Sequence, residues 1–233
     1  MHTTILLASN NAHKRTEMEG ILSLLNAPVQ VAQPKDFDFS FDVEETADTF
    51  SGNSLIKARA LFRLTKGELS PGVTCSEDAA AVPNRLFQAL GTRQIPVLAD
   101  DSGICVHALD DRPGVYSARF GDEPGKPPLS DEDRNDLLLK TLRDTRDRGA
   151  HYVCNATLIL DAERWIQVEE TWHGAILRER APGTTGFGYD PIVWLEEYGS
   201  SVAQLPQEKK DHVSHRAKAL RRICAAAGWV DSV

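Results

Sequence analysis

The chain opens on a strand, a polar turn and a helix, and that order limits its fold more than any other local feature. Residues 3–8 form a short apolar run with β-branched positions and read as a buried strand. Ser9-Asn10-Asn11 is the turn. A helix then fits residues 12–25, where Met18, Ile21, Leu22 and Leu25 share one apolar face at i, i+3, i+4, i+7 spacing. Strand, turn, helix is the opening of an α/β protein. Residues 29–32 read as a second strand, and a second helix fits 49–65, with Asn53 and Lys57 pointing the same way. Residues 95–99 read as a buried strand that ends on Asp100-Asp101-Ser102-Gly103. Ser130 and Asp133 resemble a capping box opening a helix to about residue 148. Residues 152–160 and 165–172 alternate around Asp161-Ala162-Glu163-Arg164 as a hairpin, residues 183–188 are a glycine-rich loop, and Ser214 caps a last helix through 227.

With 233 residues and no internal repeat, a single domain over 1–233 is expected. Between 67 and 94 periodicity fades while Gly, Pro, Ser and Asn accumulate, which predicts an inserted loop or small excursion. Lys and Arg number 26 against 34 Asp and Glu, a net charge of −8 that argues against nucleic acid as a partner. Small anionic ligands need only local cations and stay open. No stretch approaches the ~20 apolar residues of a membrane helix, so a cytoplasmic protein with no membrane contact is expected. Cys75, Cys105, Cys154 and Cys224 are scattered without a CxxC pair and read as small buried thiols.

Three charge placements depart from what a fold alone wants. His13, Lys14 and Arg15 crowd the first turn of a helix, where cations are unfavourable unless an anion joins them. With Ser9, Asn10 and Asn11 before them they suit a phosphate, although a solvated cationic end reads the same way. Ser214-His215-Arg216 repeats the anomaly, after Lys209 and Lys210. Asp100-Asp101 places two carboxylates beside each other after a buried strand, which suits a cation such as Mg²⁺ or else an acidic cap. Glu45, in the acidic stretch before the second helix, is a third carboxylate, or a solvated charge.

Several motifs follow one another in a telling order. They are Ser9-Asn10-Asn11-Ala12-His13-Lys14, Glu45-Thr46 with Phe50, Asn53 and Lys57-Ala58, and Ala99-Asp100-Asp101-Ser102-Gly103. Pro113-Gly114-Val115-Tyr116-Ser117-Ala118-Arg119, Gly186-Phe187-Gly188-Tyr189-Asp190-Pro191 and Ser214-His215-Arg216 complete the series. Together they resemble the inosine triphosphate pyrophosphatases of the Ham1/RdgB type, over nearly the whole chain apart from residues 67–94. The resemblance implies a mixed α/β fold with a long twisted sheet flanked by helices and two lobes with a central cleft. It implies a cytoplasmic homodimer that uses Mg²⁺ to hydrolyse ITP, dITP and XTP to the monophosphate and pyrophosphate.

By position, Ser9, Asn10, Asn11, Ala12, His13 and Lys14 would hold the phosphates with Lys57 beside them. Glu45, Asp101 and Asp100 would serve the metal, Asp101 also being the general base, and Ser102 would touch substrate. Phe187, Gly188, Tyr189 and Asp190 would form the base pocket, and Lys210, His215 and Arg216 would complete the contacts. Two positions depart from the family pattern: Asn10 and Gly52 stand where many members carry Gly and Glu respectively. The competing readings are a Maf-type pyrophosphatase of modified or standard nucleotides and a nucleotide-binding module without catalysis.

Overall fold

The first strand, β1 (Thr3–Leu7), shows no alternation because Ile5, Leu6 and Leu7 are all fully buried, as in a parallel strand covered on both faces. The computed structural model describes residues 3–183 and 185–231. After β1 come α1 (Ala12–Leu24), β2 (Val29–Ala32), β3 (Phe41–Val43), α2 (Phe50–Leu64), β4 (Val73–Cys75), α3 (Val82–Leu90) and β5 (Val97–Val106). Then follow α4 (Asp131–Thr141), β6 (Gly149–Ile159), β7 (Trp165–Ile176), β8 (Val193–Leu195), β9 (Ser200–Ser201), α5 (Gln207–Val213) and α6 (His215–Ala226). Seven strands form one mixed sheet in the order β2-β1-β5-β6-β7-β8-β9, with β1 parallel to β2 and β5 and with β7, β8 and β9 antiparallel. The expected mixed α/β fold is therefore present. No helix among the described residues is long and apolar enough to cross a membrane.

Two compact units divide the chain. The first comprises Met1–Asp101, Asn155–Glu169 and Arg216–Val233, and the second Ser102–Cys154 and Glu170–His215. In the first, Leu6, Ala58, Leu61, Leu64, Val97 and Ala99 share a core with Val82 and Leu86. In the second, Ile104, Val106, Leu138, Tyr152, Trp172 and Ile192 pack together.

Three elements differ from their expected form. The strand expected to stop before Asp100 runs on to Val106, because Ile104, Cys105 and Val106 continue the buried run. Both aspartates therefore lie inside the strand. The helix expected to reach residue 148 ends at Thr141, where Arg148 turns back to donate to the Leu142 carbonyl at 2.6 Å and to the Ile176 carbonyl at 2.9 Å. That contact satisfies a helix-end carbonyl from the threshold of β6.

Residues 67–94 are folded rather than bare loop. Their strand β4 pairs antiparallel with β3, Phe41 opposite Cys75 and Val43 opposite Val73. Their helix α3 drives Val82 and Leu86 into the first unit's core. Cys105, Cys154 and Cys224 are buried thiols as expected, and Cys75 is half-buried. Because Leu86 has no exposed surface, Leu86→Ala is expected to destabilise the protein by about 2–5 kcal/mol in denaturant unfolding.

Candidate active site

A strand sends successive side chains to opposite faces of its sheet, and this resolves the apparent clash of Asp100 with Asp101. Val97, Ala99 and Asp101 lie on the face that α2 covers. Asp100 points the other way, to α1 and α6. There its Oδ1 lies 3.1 Å from Lys14 Nζ, and its Oδ2 accepts from Arg216 at 3.1 and 3.3 Å. Arg216 also donates to Glu17, and all of Arg216, Glu17 and Asp100 are buried. Burial pushes the Asp100 carboxyl up, but the charges of Lys14, Arg216 and Lys57 outweigh it and hold the group well below the usual carboxylate range.

On the other face, Asp101 Oδ1 accepts from Lys57 Nζ at 3.1 Å and its Oδ2 from Asn53 Nδ2 at 3.3 Å. The expectation that Asn53 and Lys57 point together is met. Lys57 Nζ also donates to Glu45 Oε1 at 3.0 Å, so one ammonium holds both carboxylates. Burial lowers the Lys57 pKa, yet Asp101, Glu45 and Asp100 raise it further than burial depresses it. Burial raises the Asp101 carboxyl, Lys57 and Lys14 oppose, and Glu45 adds to the rise, leaving it above its ordinary value. In this cluster Lys14, Lys57 and Arg216 pair with Glu17, Glu45, Asp100 and Asp101.

The folded 67–94 segment takes part in placing Glu45. Glu44 N donates to the Gly72 carbonyl at 3.1 Å, extending the β3–β4 pairing up to the residue before Glu45. At the start of α1, Asn11 caps the helix by accepting from His13 N at 2.9 Å and Lys14 N at 3.2 Å. Asn10 donates to the Phe41 carbonyl at 2.9 Å, and Asn11 N donates to Ser9 Oγ at 3.2 Å. Asn10 to His13 are exposed. The cations of this turn have internal carboxylate partners, Lys14 with Asp100 and Arg15 with Asp36 at 2.7 Å.

Other residues of the second helix's surroundings carried no sequence signal. Ser54 hydrogen-bonds to Asn155 Oδ1 at 2.6 Å and Thr157 Oγ1 at 2.7 Å, and Gln167 donates to Thr157 Oγ1 at 2.9 Å. These polar side chains from β6 and β7 anchor α2 beside Asn53. Glu17 was missed because one acid on an amphipathic helix reads as solvent-facing.

The second unit gathers Phe187, Gly188, Tyr189, Asp190, Lys210 and His215. Asp190 Oδ2 accepts from Lys210 Nζ at 2.7 Å and from Phe187 N at 2.9 Å, and its Oδ1 accepts from Tyr152 OH at 2.9 Å. Lys210 Nζ stands 5.2 Å from the centre of the Phe187 ring. Gly186 has φ +83°, and a Cβ on it would fall 1.8 Å from Asp190 Oδ2, so only glycine fits. The Tyr189 hydroxyl donates to the Ser117 carbonyl at 2.8 Å, and burial pushes its pKa up. His215 lies parallel to Tyr152, ring centres 4.8 Å apart, with Trp172 beyond. Thr184, within the expected loop 183–188, lies outside the described residues. Ser102 follows Asp101 on β5 and is half-buried.

A family model described as the Ham1 family matches residues 5–226. The chain belongs to the Ham1 family. A dITP/XTP pyrophosphatase of Leptospira interrogans is 40% identical over 224 residues, 96% of this chain and 96% of that protein. The dITP/XTP pyrophosphatase of Treponema denticola is 37% identical over 219 residues, covering 94% and 95%. The solved structure of a HAM1 protein from Coxiella burnetii superimposes with a TM-score of 0.71 at 30% identity, over 97% of this chain and 98% of that one.

Both departures from the Ham1 family pattern have local explanations. Asn10 is not among the residues with positive φ, so its turn needs no glycine. Gly52 lies in the first turn of α2, and a Cβ there would approach Ala47 Cβ to 2.5 Å. A side chain at 52 would require residue 47 to move.

The pH response of the Asp100 cluster has a definite sign. Because its folded pKa lies below the ordinary 3.8, its ion pairs contribute stability above that value and lose it as acid protonates the folded carboxyl. In a chelating buffer, the Tm is expected to fall as pH drops below about 5, and Asp100→Asn should flatten this part of the profile. The same variant should cost about 3–5 kcal/mol at pH 7, because Arg216 and Lys14 lose a buried partner.

Proposed function

We propose that this protein is a Mg²⁺-dependent nucleoside triphosphate pyrophosphatase that converts dITP, ITP and XTP to the monophosphate and pyrophosphate. Membership of the Ham1 family and the names of its relatives support the reaction class. The observation that carries the chemistry is the convergence of Glu45 and Asp101 on one cationic position, at 3.0 and 3.1 Å from the Lys57 ammonium.

An all-oxygen donor pair fits Mg²⁺, and Glu45 and Asp101 would hold it. When bound, the ion supplies neutralisation of charge on the phosphate oxygens. Asp101, its pKa raised by burial, accepts the proton of a water that attacks the α-phosphorus. The bond from that phosphorus to its bridging oxygen breaks, and pyrophosphate leaves. Lys14, Ser9 and the exposed residues Asn10, Asn11, Ala12 and His13 bind phosphate oxygens, with Lys57 assisting. Ser102 contacts substrate next to Asp101.

In this reading Asp100 and Arg216 are positioning residues. Asp100 directs both oxygens at Lys14 and Arg216, and Arg216 commits its guanidinium to Asp100 and Glu17. Neither was expected to act this way: Asp100 was a candidate metal ligand and Arg216 a substrate contact.

For the base, Phe187 stacks on the purine, and Gly188 and Tyr189 shape the pocket beside it. Lys210 and His215 offer donors to the carbonyl that hypoxanthine and xanthine carry at C6, where adenine carries an amine. Asp190 keeps the Lys210 ammonium beside the Phe187 ring. The resemblance also supports a cytoplasmic homodimer, which sedimentation equilibrium tests by mass.

A panel of ITP, dITP, XTP and ATP with Mg²⁺ tests the reading, scored for pyrophosphate against phosphate. Pyrophosphate from the first three with little from ATP is expected; phosphate release, or equal use of ATP, overturns it. Asp101→Asn should lower kcat by roughly 10²–10⁴-fold with the fold intact by circular dichroism. Lys14→Ala should act mainly on KM, and an unchanged KM would remove Lys14 from phosphate binding.

A further inference from the structure

A cluster of imidazoles in the second unit takes no part in the proposed chemistry. His107 follows the last residue of β5, His151 is the third residue of β6, and His173 lies near the end of β7. These three strands are neighbours in the sheet. Tyr152 and Trp172, the residues adjacent to His151 and His173, are buried in the core, so strand alternation turns the two histidines to the opposite face. There His151 Nδ1 and His107 Nε2 are 3.4 Å apart, and the rings of His151 and His173 stack at 5.2 Å.

One carboxylate joins them. Asp111 N donates to the Val106 carbonyl at 3.1 Å, closing a turn in which Asp110 and Asp111 have φ of +52° and +60°. One ligand atom each from His107, Asp111 and His151 lie within 4.8 Å of one another. Gly149 leaves room for the group, since a Cβ at that position would fall 2.4 Å from His107 Nδ1.

We propose that His107, His151 and Asp111 bind a late first-row divalent metal ion such as Zn²⁺, at a site separate in its residues from the Glu45–Asp101 pair. Two imidazoles and one carboxylate are the donor types such ions select, whereas Mg²⁺ prefers oxygen alone. Ligand atoms around a tetrahedral Zn²⁺ stand ~3.3 Å apart. The His107–His151 separation of 3.4 Å already matches that spacing, and a carboxylate oxygen of Asp111 lies within 4.8 Å of a ring nitrogen of each. His107 and Asp111 are exposed and His151 is half-buried, so an ion enters without opening the fold. The coordination sphere keeps a position for water.

Calorimetric titration of the tag-free full chain with Zn²⁺ in excess Mg²⁺ tests the site. One Zn²⁺ per chain is expected, with Co²⁺ giving the visible absorption of a four-coordinate ion. Loss of an outer-sphere partner weakens a metal site roughly 10–100-fold; His107→Ala and His151→Ala, which remove ligands, should each weaken binding by more than about tenfold. Asp111→Asn should weaken it less, and Asp101→Asn should leave it unchanged. No saturable binding, binding that survives the double variant H107A/H151A, or binding lost in Asp101→Asn would each overturn the proposal. None of these outcomes bears on pyrophosphate release, so the site stands or falls apart from the proposed activity.

Discussion

A charged aspartate with no accessible surface organises the first unit. Burying Asp100 alone would cost several kcal/mol, and it stays ionised because Lys14 from α1 and Arg216 from α6 reach it together. Arg216 is itself buried and needs a second acid, which Glu17 provides one turn beyond Lys14. Two helices far apart in sequence are thereby tied to one residue of β5. The same tie fixes where the Lys14 ammonium stands, so an interaction that looks structural also sets the position of a candidate phosphate ligand.

The one-residue step from Asp100 to Asp101 then separates two tasks. Strand alternation gives each carboxylate its own face and its own cations, so neighbours in sequence do not compete for partners. Asp100 is held far down in pKa by Lys14, Arg216 and Lys57, while burial raises Asp101, which shares the Lys57 ammonium with Glu45. Of the pair, Asp101 is therefore the carboxylate whose surroundings favour taking up a proton. The contrast follows from the environments, since the side chains are identical.

Much of this was legible in the amino-acid order. The apolar runs at β1 and β2 and the helical spacing of α1 and α2 specify those elements, and i, i+4 spacing places Asn53 with Lys57. The course of β5 past Asp101 was not legible, because two buried carboxylates look like a strand end until their counterions are known. Lys14, Arg216, Lys57 and Asn53 come from other elements. The end of α4 was hidden for a related reason: the group that satisfies its last carbonyls, Arg148, follows it in a polar stretch that reads as more helix. The row of His107, His151 and His173 has no spacing motif at all, since it exists only once three strands are side by side.

Residues 67–94 make the general point most sharply. A segment rich in Gly, Pro, Ser and Asn lacks periodicity, yet three residues of it are enough for β4, and one short helix is enough to bury Val82 and Leu86. Such short elements cannot be stable alone; they form because β3 offers an edge and α2 offers an apolar face. The dependence also runs the other way. Glu45 lies two residues beyond β3, a strand of three residues that pairs with β4, and Glu44 is held by Gly72. Without that pairing, the loop bearing Glu45 would keep its ion pair to Lys57 and the hydrogen bond from Ala47 N to Asn53 Oδ1, but would lose its anchor on the N-terminal side of Glu45. A stretch that reads as an inserted surface excursion thus helps to hold a carboxylate of the candidate site.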